Sequence, residues 1–368
     1  MLIYLLTTII SSVSFIFVAH ADGKDLFGEP ITSSLNGSAA KRLVYLTIGL
    51  LTVFVVLGFR YQIGVDHYDN YILAYNQLKA GITPQSGFGI AVRLIFNLLA
   101  LADASPQWFF ICTSMLLLIP LWYVIYKASP IPWLSCIIFI VARIMFIDMA
   151  YIGVGIAGAL ICLSFLFNKE NRDGVSLLMI ALAATFYWGA MLFLPVLWIG
   201  RKRIEPIHWI IGIGTISVFS GKLADVLTRF SSANMLFIDG IYPNRFDNTF
   251  FSMLFITGVA CYYIDLNKEL LSDDFFKVLF NTHMIGLLLS FNLNAIPYGI
   301  YIYWLYYTIE IIFVPYLISL IKSKKEALLV IIGIIVLFSY ITYKDCAVAK
   351  ILHCFPYRSF LYKTTLFT

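Results

Sequence analysis

Residues 58–71, GFRYQIGVDHYDNY, bring a guanidinium, two carboxylates, an imidazole and three phenols together directly after a long apolar run. The planar fork of Arg60 is suited to phosphate oxygens, and Asp66 can accept a proton from a hydroxyl, with His67 as a second candidate base. Gly64 permits a tight turn that would bring Asp66 back toward Arg60. The segment predicts a site for an anion and a hydroxyl, and a structural ion pair is the alternative.

Two other interpretations apply to the same segment. Asp66, His67 and Asp69 could together hold a divalent cation, but no partner cluster is evident elsewhere, and we expect neither a metal nor another cofactor. The phenols could contact a sugar, or they could form an aromatic belt at the membrane surface. They belong to Tyr61, Tyr68 and Tyr71.

Further candidates lie at two predicted corners of the fold. Arg143 and Asp148 flank the corner that precedes YIGVGIAGAL, and ionisable residues at membrane depth are functional candidates. We expect Arg143 to bind an anion and Asp148 to be a reserve base. Tyr187 and Trp188 interrupt an apolar stretch, 175–200, where they could stack on a sugar or pack in the core.

The last two candidate arginines lie in polar segments. Arg245 belongs to the longest predicted loop, 222–248, and Arg358 to the aromatic and basic tail, 343–368. Arg358 could reach back to the mouth of the helix bundle. Cys346 and Cys354 could form a disulfide if the tail faces an oxidising compartment, although their spacing is weak evidence.

The elements that position these residues must be membrane helices. The 368-residue chain is 61% hydrophobic and 12% charged, whereas soluble domains contain about 25% charged residues. No Walker A or GxSxG pattern occurs, which argues against nucleotide-driven transport and an α/β-hydrolase. The sequence has no long basic run of the kind that would indicate a nucleic-acid partner. The first apolar run lacks a basic leader region, so we interpret it as a span rather than a signal peptide.

The predicted fold is an all-α polytopic membrane protein, a single membrane domain with about ten full transmembrane helices. A crossing needs about 20 apolar residues. The expected spans are 2–19, 43–59, 107–126, 131–147, 149–167, 207–221, 249–266, 276–292, 299–320 and 326–342. Residues 88–102 predict a short interfacial or partly inserted helix, and 175–200 predict a hairpin of two short helices that returns to its starting side.

Basic residues near the ends of the spans predict the orientation. Most of these basic residues fall on one side of the membrane only if both termini lie on the outer side and if segment 88–102 does not cross the membrane. Residues 20–42 then form a cytoplasmic loop, while 60–106, 222–248 and 343–368 are outside. Six of the ten arginines also fall outside, where an anionic ligand would explain them: Arg60, Arg93, Arg143, Arg229, Arg245 and Arg358.

The stretch LGFRYQIGVDHYDNY resembles a signature of Wzy-type bacterial polysaccharide polymerases, specifically the EpsG-like family, which has Arg-Tyr followed by Gly-x-Asp-Tyr/His-x-x-Tyr. SGFGIAVRLIFNLL, YIGVGIAGALICLSFLF, ATFYWGAMLFLP and FPYRSF resemble further family segments. Two departures stand out. The family's Arg-Gln pair falls on Gly153 and Val154, and its hairpin His falls on Tyr187.

The resemblance implies an enzyme of the bacterial cytoplasmic membrane that joins undecaprenyl-pyrophosphate-linked oligosaccharides at its outer face. Expected partners are those glycolipids, membrane lipid, a chain-length regulator and a flippase. Arg60, Arg143, Arg245 and Arg358 would bind pyrophosphate, and Asp66 would receive the acceptor proton. A glycan ligase, a lipid-linked glycan flippase and a membrane acyltransferase are the alternatives; for the last, His208 and His283 lack a supporting motif.

Overall fold

The computed structural model describes residues 2–30, 39–61, 63–64, 67–82, 88–142, 144–218, 248–293, 299–348, 354 and 357–359. Within these ranges the chain is predominantly helical and contains no strand, which confirms the all-α class. The first ten α-helices are α1 Leu2–Ala21, α2 Ala39–Gly58, α3 Leu73–Lys79, α4 Ile90–Leu101, α5 Gln107–Ala128, α6 Pro132–Val141, α7 Ile144–Ala150, α8 Ile152–Lys169, α9 Asp173–Phe186 and α10 Val196–Ile199.

The described residues after position 205 contain six more α-helices and several irregular helical turns. The helices are α11 Pro206–Val218, α12 Asn248–Leu266, α13 Asp274–Leu293, α14 Gly299–Tyr307, α15 Glu310–Ser319 and α16 Lys324–Thr342. Helix starts follow local chemistry. Ser323 caps α16 by accepting a hydrogen bond from the backbone N–H of Glu326 at 3.4 Å.

Seven described helices are long and apolar enough to cross a membrane. One of the seven is Tyr301–Ser319, which α14 and α15 form together, and an eighth span is added if a bent pair of helices counts as one. That pair is α6 with α7, which bend by 53° within the predicted single span 131–147. Helix α13 occupies the predicted span 276–292 but is not among the seven, and α11 has only 13 residues. The predicted count of about ten is therefore not confirmed.

The segment 175–200 forms the predicted hairpin. Helix α9 ends at Phe186, a 3₁₀ turn Trp188–Phe193 follows, and α10 runs back. Arg201, beyond α10, forms an ion pair with Asp173 at the start of α9. Since both ends of the segment meet, the chain leaves on the side on which it entered.

The loop 60–106 contains more helix than predicted. Besides α4, which confirms the expected short helix, a π-helical turn His67–Ile72 continues into α3. Tyr75 of α3 donates its hydroxyl to the backbone oxygens of Leu99 and Ala104, at 3.2 Å and 2.5 Å. The exposed Lys79 and Asp103 form an ion pair where the two helices end. These contacts hold α3 against α4.

The bundle has two distinguishable ends. At the first, which we call the Arg60 end, α2 finishes and α5, α8 and α14 begin; Gln107 of α5 donates to Gly58 O at 2.6 Å. At the opposite Lys324 end, Lys324 of α16 contacts Asp25 and Glu29 of the loop after α1 at 2.9 Å and 3.0 Å. This end carries most of the basic residues described, including Lys41, Arg42, Lys127, Lys169, Arg172, Arg201, Lys202, Arg203, Lys322 and Lys325.

Candidate functional site

Arg60 lies just beyond α2 and is buried, with 2% of its surface exposed. Its Nη1 donates to Leu57 O at 2.8 Å, and its guanidinium carbon lies 5.0 Å from the centre of the Phe110 ring. Nε and Nη2 are also buried but have no hydrogen-bond partner among the residues the structure describes. A buried cation with two unused donors is costly, which is the situation expected where an anionic ligand completes the site.

A cavity opens beside this guanidinium. The space lies between α2, α5, α7 and α8, and its volume of about 10 Å³ leaves room for roughly one water molecule. Ser114 contributes a buried hydroxyl without a hydrogen-bond partner in the described part of the chain. The wall therefore combines one cation, one carboxylate, two hydroxyls and apolar groups. The lining residues are Leu57, Arg60, Thr113, Ser114, Leu117, Asp148 and Ile152.

Asp148 supplies the carboxylate of the cavity. It lies in α7, is 4% exposed, and packs against the face of α8 that carries Gly155. A Cβ at position 155 would stand only 2.8 Å from the carboxyl group, so a glycine is needed there for this approach. Although Arg60 and Asp148 line the same cavity, no ion pair joins these two described side chains. Space between the guanidinium and the carboxyl group is what a bound group would need.

Tyr71 fixes the start of α8, next to the cavity. Its hydroxyl accepts a hydrogen bond from the backbone N–H of Ile152 at 3.1 Å. Its ring lies 5.3 Å from Phe88 and 5.4 Å from Phe109, centre to centre. The structure thus places this predicted sugar contact inside the packed core, where it orients the backbone of a cavity residue.

The C-terminal tail folds back onto Arg60. Arg60 and Ser359 form an isolated antiparallel bridge, and the backbone N–H of Tyr61 donates to Arg358 O at 3.0 Å. Tyr357 donates its hydroxyl to Val56 O at 3.2 Å. The tail therefore meets the bundle through its backbone at 358–359, whereas the side chain of Arg358, which was predicted to reach the mouth of the bundle, is exposed.

Two cysteines lie where the tail leaves α16. Cys346 and Cys354 are not joined in a disulfide; both are completely buried, and their side chains are within hydrogen-bonding reach of each other. Tyr4 of α1 donates its hydroxyl to Cys354 O at 2.8 Å. The first helix and the tail therefore meet at the Arg60 end.

The tip of the hairpin lies at the same end. Tyr187 is extended, with φ −148° and ψ 115°, and its buried hydroxyl has no hydrogen-bond partner among described residues. Trp188 is 44% exposed. A Cβ on Gly89 or Gly153 would stand 2.2 Å or 3.0 Å from Phe186 O, so both glycines pack directly against the tip. Positions 153 and 187, two of the three at which the chain departs from the resembled pattern, are therefore neighbours in space.

Several predicted site residues cannot be placed. Asp66, Arg143 and Arg245 lie outside the described residues. His67 and Tyr68 belong to the π-helical turn before α3, but their side chains are not described. The described residues contain no group of three His, Cys, Asp or Glu side chains able to hold a metal ion.

Sequence reasoning missed the hydroxyl wall of the cavity. Gln107 and Ser114 are seven residues apart in an otherwise apolar helix, which places them on one face. That spacing could have identified α5 as part of the site. Sequence reasoning also missed the pairing of His283 with Glu310, since the two residues lie on different helices.

Comparisons with known proteins give one match. The model of the EpsG family matches residues 43–359, which is most of the chain. This range includes the Arg60 segment, the cavity, the hairpin and the tail residues that pair with Arg60. No curated protein matches the chain, and no solved structure does.

Proposed function

Since the chain belongs to the EpsG family, whose members are Wzy-type polymerases, we propose that it joins undecaprenyl-pyrophosphate-linked oligosaccharide units into an exopolysaccharide, capsule or O-antigen chain. The observation that carries the proposal is the pair of unused donors on buried Arg60, which face no described partner beside a cavity that also contains Asp148. A guanidinium and a carboxyl group in one cavity suit a reaction with an anionic leaving group and an attacking hydroxyl.

In the proposed step, the acceptor hydroxyl forms a bond to the donor's anomeric carbon. The bond from that carbon to the pyrophosphate oxygen breaks, and the leaving group keeps the electron pair. Arg60 would stabilise the charge that develops on the leaving oxygens, because its fixed donors need no reorganisation during the reaction. Arg143, Arg245 and Arg358 remain proposed as further pyrophosphate ligands.

The proton of the acceptor hydroxyl needs a base within reach. Asp148 is the carboxylate that lines the cavity with Arg60, so we now place it first. Asp66 stays a proposed base, with His67 behind it. Tyr61, Tyr68, Tyr187 and Trp188 remain proposed sugar contacts, of which Trp188 has a half-exposed ring at the Arg60 end.

The proposed orientation puts the Arg60 end outside the bacterial cytoplasmic membrane. Basic residues concentrate at the opposite end of the bundle, and such residues favour the cytoplasmic side. The described parts of both termini lie at the Arg60 end, through Tyr4 and Ser359. A lipid-linked donor displayed on the outer leaflet would meet the cavity there.

A lipid-linked glycan transporter is the second candidate. It is favoured by one observation: the span that α14 and α15 form together has an irregular turn at Thr308 and Ile309, and Glu310, which begins α15, has its carboxyl group buried against His283. Buried polar groups at irregular points of membrane helices are found in transporters. Extension by protein purified in detergent separates the two functions, because a polymerase lengthens the glycan without a sealed membrane.

The test uses purified protein in detergent and a lipid-linked repeat unit isolated from the same organism. The polymerase proposal predicts a ladder of longer glycans on a gel, accompanied by release of undecaprenyl pyrophosphate. Addition of the chain to a different lipid without lengthening would instead indicate a ligase. Unchanged glycolipid, with wild-type protein that remains folded, would contradict both transferases.

A further inference from the structure

A second polar cluster lies in the middle of the bundle, away from the cavity residues. Thr257 is the tenth residue of α12, His283 the tenth of α13, and Glu310 the first of α15. Thr257 is 7% exposed and the other two are fully buried. Three polar side chains from three helices at this depth are expensive to bury and are functional candidates by default.

The three side chains form one chain of hydrogen bonds. Thr257 Oγ1 lies 2.7 Å from His283 Nε2, and His283 Nδ1 contacts Glu310 Oε1. Phe313 packs on the imidazole with the ring centres 5.0 Å apart, which closes one face of the ring. Glu310 Oε2 has no hydrogen-bond partner among described residues.

The position of one hydroxyl proton determines the others. Thr257 Oγ1 lies 2.9 Å from Met253 O, a carbonyl that can only accept, so the hydroxyl proton points to that carbonyl. His283 Nε2 must then donate to Thr257. A neutral imidazole with its proton on Nε2 has an unprotonated Nδ1, which can only accept from Glu310.

Two protonation states satisfy this pattern. Either Glu310 is a carboxylic acid that donates to Nδ1, or His283 is an imidazolium beside a carboxylate. The unpartnered Oε2 discriminates between them, because a bare carboxylate oxygen in the bilayer interior costs far more than the carbonyl oxygen of a neutral acid. The charged residues described on α12, α13 and α16 lie near the Lys324 end and offer no compensation: Asp265, Asp274, Lys277, Lys324, Lys325 and Glu326.

We propose that Thr257, His283 and Glu310 form a proton-binding site in the middle of the membrane bundle, with the bound proton on Glu310 Oε1 and donated to His283 Nδ1. The ligand is a single proton, and the loaded site is electrically neutral. It joins α12, α13 and α15 next to the interruption between α14 and α15. Thr308, in that interruption, packs against Gly158 of α8, where an added Cβ would stand 2.9 Å from its hydroxyl. The proposal does not depend on the polymerase function.

Infrared spectroscopy of the full-length protein in detergent tests the site. The buffer is set about two pH units above the ordinary pKa of histidine, roughly 6.5, so that exposed carboxyl groups are ionised. The difference between wild type and Glu310→Gln should contain a deuterium-sensitive band of a protonated carboxyl group. Glu326→Gln, at the exposed start of α16, is the matched control and should remove only carboxylate absorption. Loss of carboxylate absorption in Glu310→Gln as well would overturn the proposal.

A second measurement needs no substitution in the acid. Histidine labelled with ¹⁵N in the wild-type protein should show one neutral imidazole with its proton on Nε2, which is assigned by its disappearance in His283→Asn. An imidazolium, or a neutral ring with its proton on Nδ1, would contradict the proposal.

Glu310→Gln offers an N–H to Nδ1 as the neutral acid does, so its thermal unfolding should match wild type within a few degrees, whereas Glu310→Ala should unfold at a clearly lower temperature.

Discussion

Gly155 of α8 lies so close to Asp148 of α7 that a Cβ at position 155 would stand 2.8 Å from the Asp148 carboxyl group. Small residues allow such close approach inside membrane bundles. Here the approach brings a carboxylate to the wall of the cavity that contains Arg60. Gly155 therefore does more than allow the two helices to pack, because it also positions a candidate catalytic group.

Gly155→Ala should therefore damage the site and not only the packing. Overpacking of this kind costs about 1–3 kcal/mol, and the displaced carboxylate should lower glycan extension at least tenfold. Gly333→Ala in α16 is the matched control, since a Cβ there meets nothing within 4 Å. Thermal unfolding and in vitro extension are measured for both variants. Equal, small effects in the two proteins would contradict the proposed packing of Asp148.

The hairpin makes a topological prediction. Glu170 and Arg203 flank the segment 173–201 and should be on one side of the membrane, with Asp103 on the other. Single cysteines at these positions, in a background in which the six native cysteines are serine, are treated with an impermeant maleimide on intact cells. Asp103→Cys should react, whereas Glu170→Cys and Arg203→Cys should react only after lysis. Opposite accessibility of positions 170 and 203 would show that the segment crosses.

The tail should be held by specific hydroxyl groups. Tyr4→Phe and Tyr357→Phe each remove a donor to a backbone oxygen, and one such bond contributes about 0.5–1.5 kcal/mol. The tail should detach more often in both variants, so trypsin should cleave faster after the exposed Arg358. Tyr340→Phe, on the exposed face of α16, is the control and should be cleaved like wild type. An unchanged cleavage rate in the first two variants would argue against these contacts.

Local sequence patterns predicted most of the fold because they report local physics. Apolar runs located most long helices, and Tyr187, Trp188 and Gly189 located the hairpin tip, where the backbone leaves α-helical form. The sequence did not predict the bend between α6 and α7, because both helices are uniformly apolar and a hydropathy pattern contains no information on the angle between two helices. The sequence did not predict α3, because the polar residues before it were interpreted as site residues rather than as part of a helix.

The site was harder to predict than the fold because it is assembled from distant segments. The sequence placed Arg60 at the end of a helix, but it did not predict the burial of this side chain or its neighbours, which are distant in sequence. Ser359 Oγ donates to Phe59 O at 3.2 Å across 300 residues of chain. No periodicity indicates such a contact. Asp148 was ranked behind Asp66 because sequence distance to Arg60 favoured the nearer acid, whereas the cavity joins Arg60 to Asp148.

The central claim is that the Arg60 cavity is where the glycosyl bond forms. The most direct measurement is in vitro extension of a lipid-linked repeat unit by purified Arg60→Lys and Asp148→Asn, with Lys79→Met, from the exposed ion pair with Asp103, as the control. We predict a loss of at least a hundredfold for Arg60→Lys, which keeps the charge but not the fork, a comparable loss for Asp148→Asn, and wild-type ladders for the control. Wild-type ladders from folded Arg60→Lys and Asp148→Asn would place the reaction elsewhere in the protein.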